Sequence, residues 1–205
     1  MLTAIIVAAG TSQRMGVDKL FALLGGQPVI AYTLNAFERT DCVDEIILVG
    51  RAERLPELQE LVRRAESRKV HHVVVGGQHR QDSVRVGLNL LASSVRYVAV
   101  HDAARPFITA EQIGRVLELA RQHGAAALAE PITDTLKRAD ENHFVSVGID
   151  REGVYAMQTP QVFSRDLLVD AYAAVAANKL FIIETLFMTA PFASGWLTRR
   201  RSIDR

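Results

Sequence analysis

The chain has 205 residues, 49% of them hydrophobic, and its 24 basic residues nearly balance 23 acidic ones to leave a formal net charge of +1. This is enough apolar material for one domain with a full core, and the charge balance disfavours a nucleic-acid-binding protein, which would show a marked basic excess. The lone Cys42 excludes an internal disulfide, and no apolar run reaches the roughly 18 residues that span a bilayer, so we expect a cytoplasmic protein with no membrane contact.

The first predicted element is an apolar strand, Leu2–Ala8, which runs into the small-residue turn Ala8–Gly10. Because these residues have almost no side chain, a phosphate can approach the backbone N–H groups closely. Arg14 and Lys19 follow, and they supply a guanidinium that forks onto phosphate oxygens and a mobile point charge. The spacing matches neither a Walker-type loop nor the dinucleotide-binding glycine motif. The alternative is an ordinary strand-to-helix turn with two solvated cations.

Strands and helices alternate along the next hundred residues. The later predicted strands are Val43–Val49, Val70–Val75, Tyr97–His101 and Ala125–Ala129. The predicted helices are Pro28–Arg39, Arg54–Glu66, Gln81–Leu91 and Ala110–His123. Apolar strands that alternate with helices indicate a parallel sheet covered on both faces. We therefore predict a single α/β domain over residues 1–205, with a Rossmann-like, mostly parallel twisted sheet.

Three small-residue or polar segments end predicted strands. Ligands of open α/β sheets bind at the carboxyl ends of the strands, so Ala8–Gly10, Gly76–Gln78 and His101–Arg105 should line one crevice. The two glycines can bring backbone amides against a base edge, and Ser83 can hydrogen-bond a pyrimidine. A Gly-Gly turn before a helix is also commonly structural, and Arg80 is equally suited to a helix-start ion pair.

Asp102 is the predicted metal ligand. A carboxylate at the end of an apolar strand is costly unless it binds a cation or fixed donors. Substitution at the phosphorus of a nucleoside triphosphate nearly always involves Mg²⁺, which prefers carboxylate and phosphate oxygens. The alternative is that Asp102 caps its turn and pairs with Arg105. For His101 the sequence leaves two roles open, and it favours a buried neutral histidine over a catalytic one.

Two regions break the alternation. Residues 132–158 switch to short polar and β-type segments around a turn at Ala139–Asn142, which predicts a β-hairpin arm that projects from the sheet. Residues 183–205 form a tail of different character that contains the consecutive arginines Arg199–Arg201.

Four segments resemble the 2-C-methyl-D-erythritol 4-phosphate cytidylyltransferases, within the sugar-phosphate nucleotidyltransferases. They are A-A-G-T-S-Q-R-M before Lys19, G-G-Q-H-R-Q-D-S-V from Gly76, V-H-D-A-A-R-P-F from Val100 and Q-T-P-Q-V-F from Gln158. The resemblance covers about residues 2 to 182. It implies an enzyme of non-mevalonate isoprenoid biosynthesis that transfers CMP from CTP to the polyol phosphate and releases pyrophosphate.

The resemblance also implies roles for individual residues. Arg14 and Lys19 would be the catalytic cations, and the arm would embrace a second subunit, so that Thr135 and Arg151 reach the neighbouring site of a homodimer. The implied nucleotide contacts are Ala8, Ala9, Gly10, Gly77, Gln78 and Ser83. The implied contacts to the polyol phosphate are Arg105, Thr135, Arg151 and Thr159.

The tail departs from the resembled family after Ile182. Where the family continues with a Thr-Asp pair and later supplies another cation, this chain has Ile183 and ends sooner. We therefore expect CTP binding to survive and turnover of the polyol phosphate to be weak. A cytidylyltransferase for ribitol phosphate or another polyol phosphate, and a weakly active nucleotide-binding remnant, remain alternatives.

Overall fold

The computed structural model describes residues 1–10 and 18–178, with side chains described as far as residue 174. The strands are β1 Leu2–Ala8, β2 Leu23–Leu24, β3 Gln27–Pro28, β4 Glu45–Gly50, β5 Val70–Val75, β6 Tyr97–Asp102, β7 Ala125–Pro131, β8 Leu136–Ala139, β9 Val145–Ile149 and β10 Tyr155–Ser164. The helices are α1 Val29–Glu38, α2 Leu55–Arg64, α3 Arg80–Leu88, α4 Ala110–His123 and α5 Arg165–Asn178, and a short 3₁₀ helix spans Ala52–Arg54. Arg14 and the tail 183–205 lie outside the described residues.

Six strands form the central sheet in the order β5-β4-β1-β6-β10-β7. The first four run parallel to one another, and β10 pairs antiparallel with both β6 and β7. The predicted α/β fold with a mostly parallel sheet is therefore confirmed. Within the described ranges, no helix has the length and hydrophobicity needed to cross a membrane.

Helices cover both faces of the sheet, which explains why the strands are apolar without alternation. Along β1, Leu2, Ala4, Ile6 and Ala8 face the core that α1, α2 and α4 complete, whereas Ile5 faces the core that α3 and α5 complete. A strand that is buried on both faces reads as one continuous hydrophobic run. The parallel strands can therefore be recognised in the sequence, and their order cannot.

The sequence prediction missed β10 and placed residues 155–158 in the projecting arm. In the structure β10 begins beside the arm, where Tyr155 pairs with Pro131, and continues into the centre of the sheet. Its register against β7 shifts between Met157 and Gln161, close to the cis peptide bond between Thr159 and Pro160. Gln161 then pairs with Val100 of β6. The segment that holds Thr159 is thus a sheet strand lying next to β6.

The predicted hairpin is present as the antiparallel pair β8 and β9, a sheet separate from the central one. Its tip is a turn in which the Asp140 carboxylate accepts hydrogen bonds from the backbone N–H groups of Asn142 and Phe144. His143 has the positive φ of 65° that closes this turn. Phe144, Val145 and Val147 are exposed, so the arm carries apolar side chains that the described chain does not cover.

Candidate functional site

The parallel register brings the predicted site segments to one edge of the sheet. Val7 lies opposite Asp102 of β6, and Ala8 lies opposite Gly50 of β4. The pairing continues beyond the strands, since the Gly76 N–H donates to the Gly50 carbonyl at 2.8 Å and the Ala103 N–H donates to the Val7 carbonyl at 3.0 Å. The carboxyl ends of β1, β5 and β6 therefore meet at one edge of the sheet, which is where the sequence predicts the crevice.

The turn after β5 is tightly packed around Gly76 and Gly77. A Cβ atom on Gly76 would lie 2.5 Å from the Ser83 Oγ and 2.9 Å from the Ala9 Cβ. A Cβ on Gly77 would lie 2.2 Å from the Cβ of Asp82. Glycine is therefore required at both positions, because Ala9 after β1 and residues of α3 occupy the space that a side chain would need.

The Ser83 hydroxyl shapes this turn. Ser83 has no exposed surface, and its Oγ accepts a hydrogen bond from the Gly77 N–H at 3.2 Å while it donates to the His79 carbonyl at 3.3 Å. The serine and the Gly77 amide, both predicted to contact the base, thus bind each other. In this structure the buried hydroxyl acts on the turn itself, and its contact with a base stays a prediction. Gln78 is exposed at the mouth of the turn.

Asp102 lies between two guanidinium groups. Its Oδ1 accepts a hydrogen bond from the Arg80 Nε at 2.8 Å, and its Oδ2 lies 3.4 Å from the Arg105 Nε. The Arg105 pairing is the alternative that the sequence left open, and Arg80 pairs with β6 rather than with its own helix. The Asp102 side chain is 32% exposed, so the carboxylate remains open to the crevice.

A second feature of Arg80 indicates an anion site. Its Nη2 is buried and has no hydrogen-bond partner among the described residues. A buried guanidinium N–H without an acceptor costs free energy, which a phosphate oxygen from a ligand would offset. Sequence reasoning did not include Arg80 among the site residues, although its place two residues after Gln78 was a usable signal.

A hydrogen-bond chain joins β6 to β10 through a buried histidine. The His101 Nε2 lies 3.3 Å from the Arg105 carbonyl, which can only accept, so Nε2 carries the proton. The Nδ1 of the neutral ring is then an acceptor, and the Thr159 hydroxyl donates to it at 3.1 Å. The Thr159 Oγ1 in turn accepts from the Asp102 N–H at 3.2 Å. Thr159, predicted to contact the second substrate, is only 6% exposed and here positions Asp102.

Burial keeps His101 neutral. The residue has no exposed surface, and burial lowers its pKa from 6.5 to about 4, against smaller opposite effects from its hydrogen bond to Arg105 and from the Asp102 charge. This agrees with the expectation of a buried, neutral histidine. His101 therefore serves the site by holding the Arg105 backbone and the Thr159 hydroxyl, and not as a general base.

Four predicted site residues remain, two near the Ala8–Gly10 turn and two on the arm. Lys19 is exposed in the turn that follows the phosphate loop, and Arg14 lies outside the described residues. On the arm, Thr135 and Arg151 are exposed, and the Arg151 guanidinium donates to the Thr133 carbonyl. No partner chain is present, so the contact of these two residues across subunits stays a prediction.

The predicted metal ligand is a single carboxylate, Asp102, and it has to be compared with what Mg²⁺ takes from a protein at a nucleotide site. No group of three or more His, Cys, Asp or Glu side chains in residues 1–10 and 18–178 could hold a metal ion. Mg²⁺ commonly takes one or two protein carboxylates and completes its octahedron with phosphate oxygens and water. The half-exposed Asp102 provides one hard oxygen ligand of this kind, so its chemistry fits the predicted metal.

An α/β sheet with a small-residue turn, a glycine turn and a carboxylate flanked by arginines at one edge is the arrangement of a protein that binds a nucleotide or another phosphate ligand. The comparisons with known proteins specify which one. A model of the family "2-C-methyl-D-erythritol 4-phosphate cytidylyltransferase" matches residues 2–183. The chain belongs to this family.

Individual relatives agree with the family match. The chain is 40% identical to the 2-C-methyl-D-erythritol 4-phosphate cytidylyltransferase of Dehalococcoides mccartyi (strain CBDB1), over 94% of this chain and 86% of the relative. It is 41% identical to the enzyme of the same name from Bacillus mycoides, over 84% of this chain and 76% of the relative. These names do not favour the alternative of a ribitol phosphate enzyme.

Solved structures show the same fold. The 4-diphosphocytidyl-2C-methyl-D-erythritol synthase of Anaerococcus prevotii superposes with a TM-score of 0.78 at 30% identity. The superposition covers 91% of this chain and 81% of the synthase chain. The 2-C-methyl-D-erythritol 4-phosphate cytidylyltransferase of Thermus thermophilus superposes with a TM-score of 0.73 at 27% identity, with coverage of 91% and 84%. Both similarities extend over nearly the whole described fold.

The buried histidine predicts an acid-sensitive step in stability. Because the pKa of His101 is about 4 in the folded chain and 6.5 as its ordinary value, only the unfolded chain binds a proton between these pH values. Stability should be unaffected above pH 6.5 and fall by up to ~3 kcal/mol as the pH drops to 4. Urea unfolding in metal-free buffer at pH 7, 5.5 and 4 measures this loss.

The matched variant is His101→Asn, which keeps an acceptor for Thr159 and cannot take up the proton. It should be less stable at pH 7 but lose less stability than the wild type between pH 6.5 and 4. Equal losses for both proteins would show that other groups govern the acid response.

Proposed function

We propose that this chain transfers CMP from CTP to 2-C-methyl-D-erythritol 4-phosphate and releases pyrophosphate. The observation that carries the proposal is the convergence at one sheet edge of the turns after β1, β5 and β6, with Asp102 between two guanidiniums. Each turn belongs to one of the motifs that resemble the family, and the parallel register brings them together. The relatives' names supply the substrate.

The reaction needs little acid–base chemistry from the protein. An ionised oxygen of the polyol phosphate attacks the α-phosphorus of CTP, a new P–O bond forms, and the bond from that phosphorus to the bridging oxygen of pyrophosphate breaks. The nucleophile is already an anion, so no side chain must remove a proton. Catalysis then rests on alignment of the two substrates and on stabilisation of the negative charge that shifts to the leaving oxygens.

The cations around the crevice provide that stabilisation. Lys19, with Arg14 from the phosphate loop, would neutralise the triphosphate, and the Ala8–Gly10 turn would offer backbone N–H groups. The unpartnered Nη2 of Arg80 would take a phosphate oxygen. Arg105, held through its carbonyl by His101, would bind the phosphate of the second substrate.

Asp102 would hold Mg²⁺ together with phosphate oxygens of the nucleotide, and the ion would supply positive charge at the reacting phosphate. For this role one Asp102 oxygen must release the guanidinium that it binds in this structure and bind the ion instead. The triphosphate gives Arg80 an alternative anion and the polyol phosphate gives one to Arg105, which makes the exchange favourable. Thr159 supports this role through its hydrogen bond from the Asp102 N–H.

We also propose that the chain forms a homodimer and works in the cytoplasm. The arm supports the first of these two proposals. Its exposed Phe144, Val145 and Val147 form an apolar surface that a second subunit would cover. Thr135 and Arg151 flank the β8–β9 hairpin and would contact the polyol phosphate of the partner's site. The single Cys42 is free, which agrees with a reducing compartment.

Nucleotide selection tests the proposed function first. The turn at Gly76 and Gly77, which the Ser83 hydroxyl closes, lies at the sheet edge where the base is predicted to bind, so CTP with Mg²⁺ should raise the Tm more than ATP or GTP does. A pyrophosphate-release assay with the four nucleotides and with methylerythritol, ribitol and glycerol phosphates then identifies the second substrate. Equal Tm shifts for all nucleotides would remove the base-reading role of this turn.

The catalytic cations give a second test. Lys19→Ala and Arg14→Ala should each lower turnover about a hundredfold or more, which corresponds to a loss of roughly 3 kcal/mol of transition-state stabilisation. Arg63→Ala, near the far end of α2 and exposed, removes a cation outside the crevice and should leave turnover unchanged. If turnover of Lys19→Ala stays within about threefold of the wild type, Lys19 is a surface charge and not a catalytic residue.

The arm is tested by complementation. If Arg151 acts in the partner's site, mixing an Arg151→Ala chain with a Lys19→Ala chain should form hybrid dimers that contain one intact site. Activity should then exceed that of either parent, with subunit exchange followed by native mass spectrometry. Exchange without any gain in activity would show that the arm contributes packing alone.

A further inference from the structure

The turn that carries Lys19 is built around Asp18. The Asp18 carbonyl accepts hydrogen bonds from the N–H groups of Phe21 at 3.2 Å and Ala22 at 3.0 Å. Its carboxylate Oδ1 accepts from the Leu20 N–H at 3.3 Å. Both acceptors of Asp18 thus close the backbone of the same short turn, and Lys19 lies inside it. The backbone that bears the Lys19 side chain is therefore fixed by its neighbour.

The same carboxylate attaches this turn to another part of the sheet edge. Asp18 Oδ2 accepts hydrogen bonds from the guanidiniums of Arg51 and Arg54, the latter at 3.2 Å. Both arginines lie in the segment that follows the carboxyl end of β4. The Arg54 guanidinium carbon also lies 4.9 Å from the centroid of the Phe21 ring, which belongs to the Lys19 turn.

These contacts, above all the Asp18–Arg51 pair, are more shielded from water than the ion pairs within α2. The Asp18 and Arg51 side chains are 15% and 17% exposed, whereas Arg63 and Arg64, which pair with Glu60, are 73% and 75% exposed. Charge-assisted hydrogen bonds strengthen as water is excluded, and fully exposed pairs contribute little. The Asp18 cluster is therefore a rigid attachment, and the Glu60 pairs are surface contacts.

We propose that Asp18 is a positioning residue, which holds the Lys19 turn against the segment after β4 and so aims the Lys19 ammonium at the triphosphate of the nucleotide. The inference rests on the proposed function, because it assumes that Lys19 contacts phosphate. A lysine has a long flexible side chain, and a displacement of about 1 Å in a group that contacts the reacting phosphates can cost a hundredfold in rate. Asp18 reduces that freedom at the backbone.

The test is a double-mutant cycle on CTP affinity, measured by calorimetry with Mg²⁺ present. Asp18→Asn keeps an acceptor for Leu20 and removes the charge that binds the arginines. It should raise the Kd for CTP about fivefold, and Lys19→Ala should raise it about tenfold or more. If Asp18 acts through Lys19, the double variant should bind CTP within about twofold of Lys19→Ala alone.

Glu60→Gln is the matched control, since it removes a carboxylate that also binds two arginines, on the exposed face of α2. Its CTP affinity should equal that of the wild type. Arg51→Gln combined with Arg54→Gln breaks the same attachment from the other side and should reproduce the Asp18→Asn effect if that variant folds poorly by circular dichroism.

The outcomes separate the inference from the proposed function. Kd increases that multiply in the double variant would show that Asp18 acts independently of Lys19, and they would overturn the inference while the nucleotide site stands. A Lys19→Ala variant with unchanged CTP affinity and turnover would overturn the role of Lys19 in the proposed function, and the inference with it.

Discussion

The parallel pairing of β1 with β4 on one side and β6 on the other is the constraint on which the site depends. This register sets Ala8 beside Gly50 and Val7 beside Asp102, so that every chain reversal after these strands occurs at one edge. Burial of β1 on both faces fixes the register, because a slip of one residue would exchange the side chains that face the two cores. The crevice is thus a consequence of core packing.

Two carboxylates at this edge each bind two guanidiniums. Asp102 binds Arg80 and Arg105, and Asp18 binds Arg51 and Arg54. Around Asp102 the two arginines outnumber the carboxylate, which leaves a local excess of positive charge although the whole chain is nearly neutral, whereas Arg51 and Arg54 are balanced because they also pair with Glu53 and Glu57. Such a concentration of one sign in a crevice attracts a polyanion and raises its local concentration. The carboxylates hold the cations in place before any phosphate binds.

β10 connects the two halves of the proposed chemistry. One of its ends lies beside the arm, and its middle part pairs with β6, where the Thr159 hydroxyl links His101 to the Asp102 backbone. A buried neutral imidazole is well suited to this link, since it donates on one side and accepts on the other without adding charge. A displacement of the start of β10, beside the arm, would therefore move Thr159 and with it the Asp102 backbone.

The sequence by itself determined the alternation of buried strands with helices, the small-residue and glycine turns, and the burial of His101, because these follow from hydrophobic pattern and residue size. It did not show that β10 inserts antiparallel between β6 and β7, since that depends on pairing between residues about sixty positions apart. Nor did it show that Ser83 closes its own turn, or that Arg80 and Asp18 bind partners in distant segments of the chain. Those contacts depend on which elements become neighbours in space, and only the tertiary structure decides that.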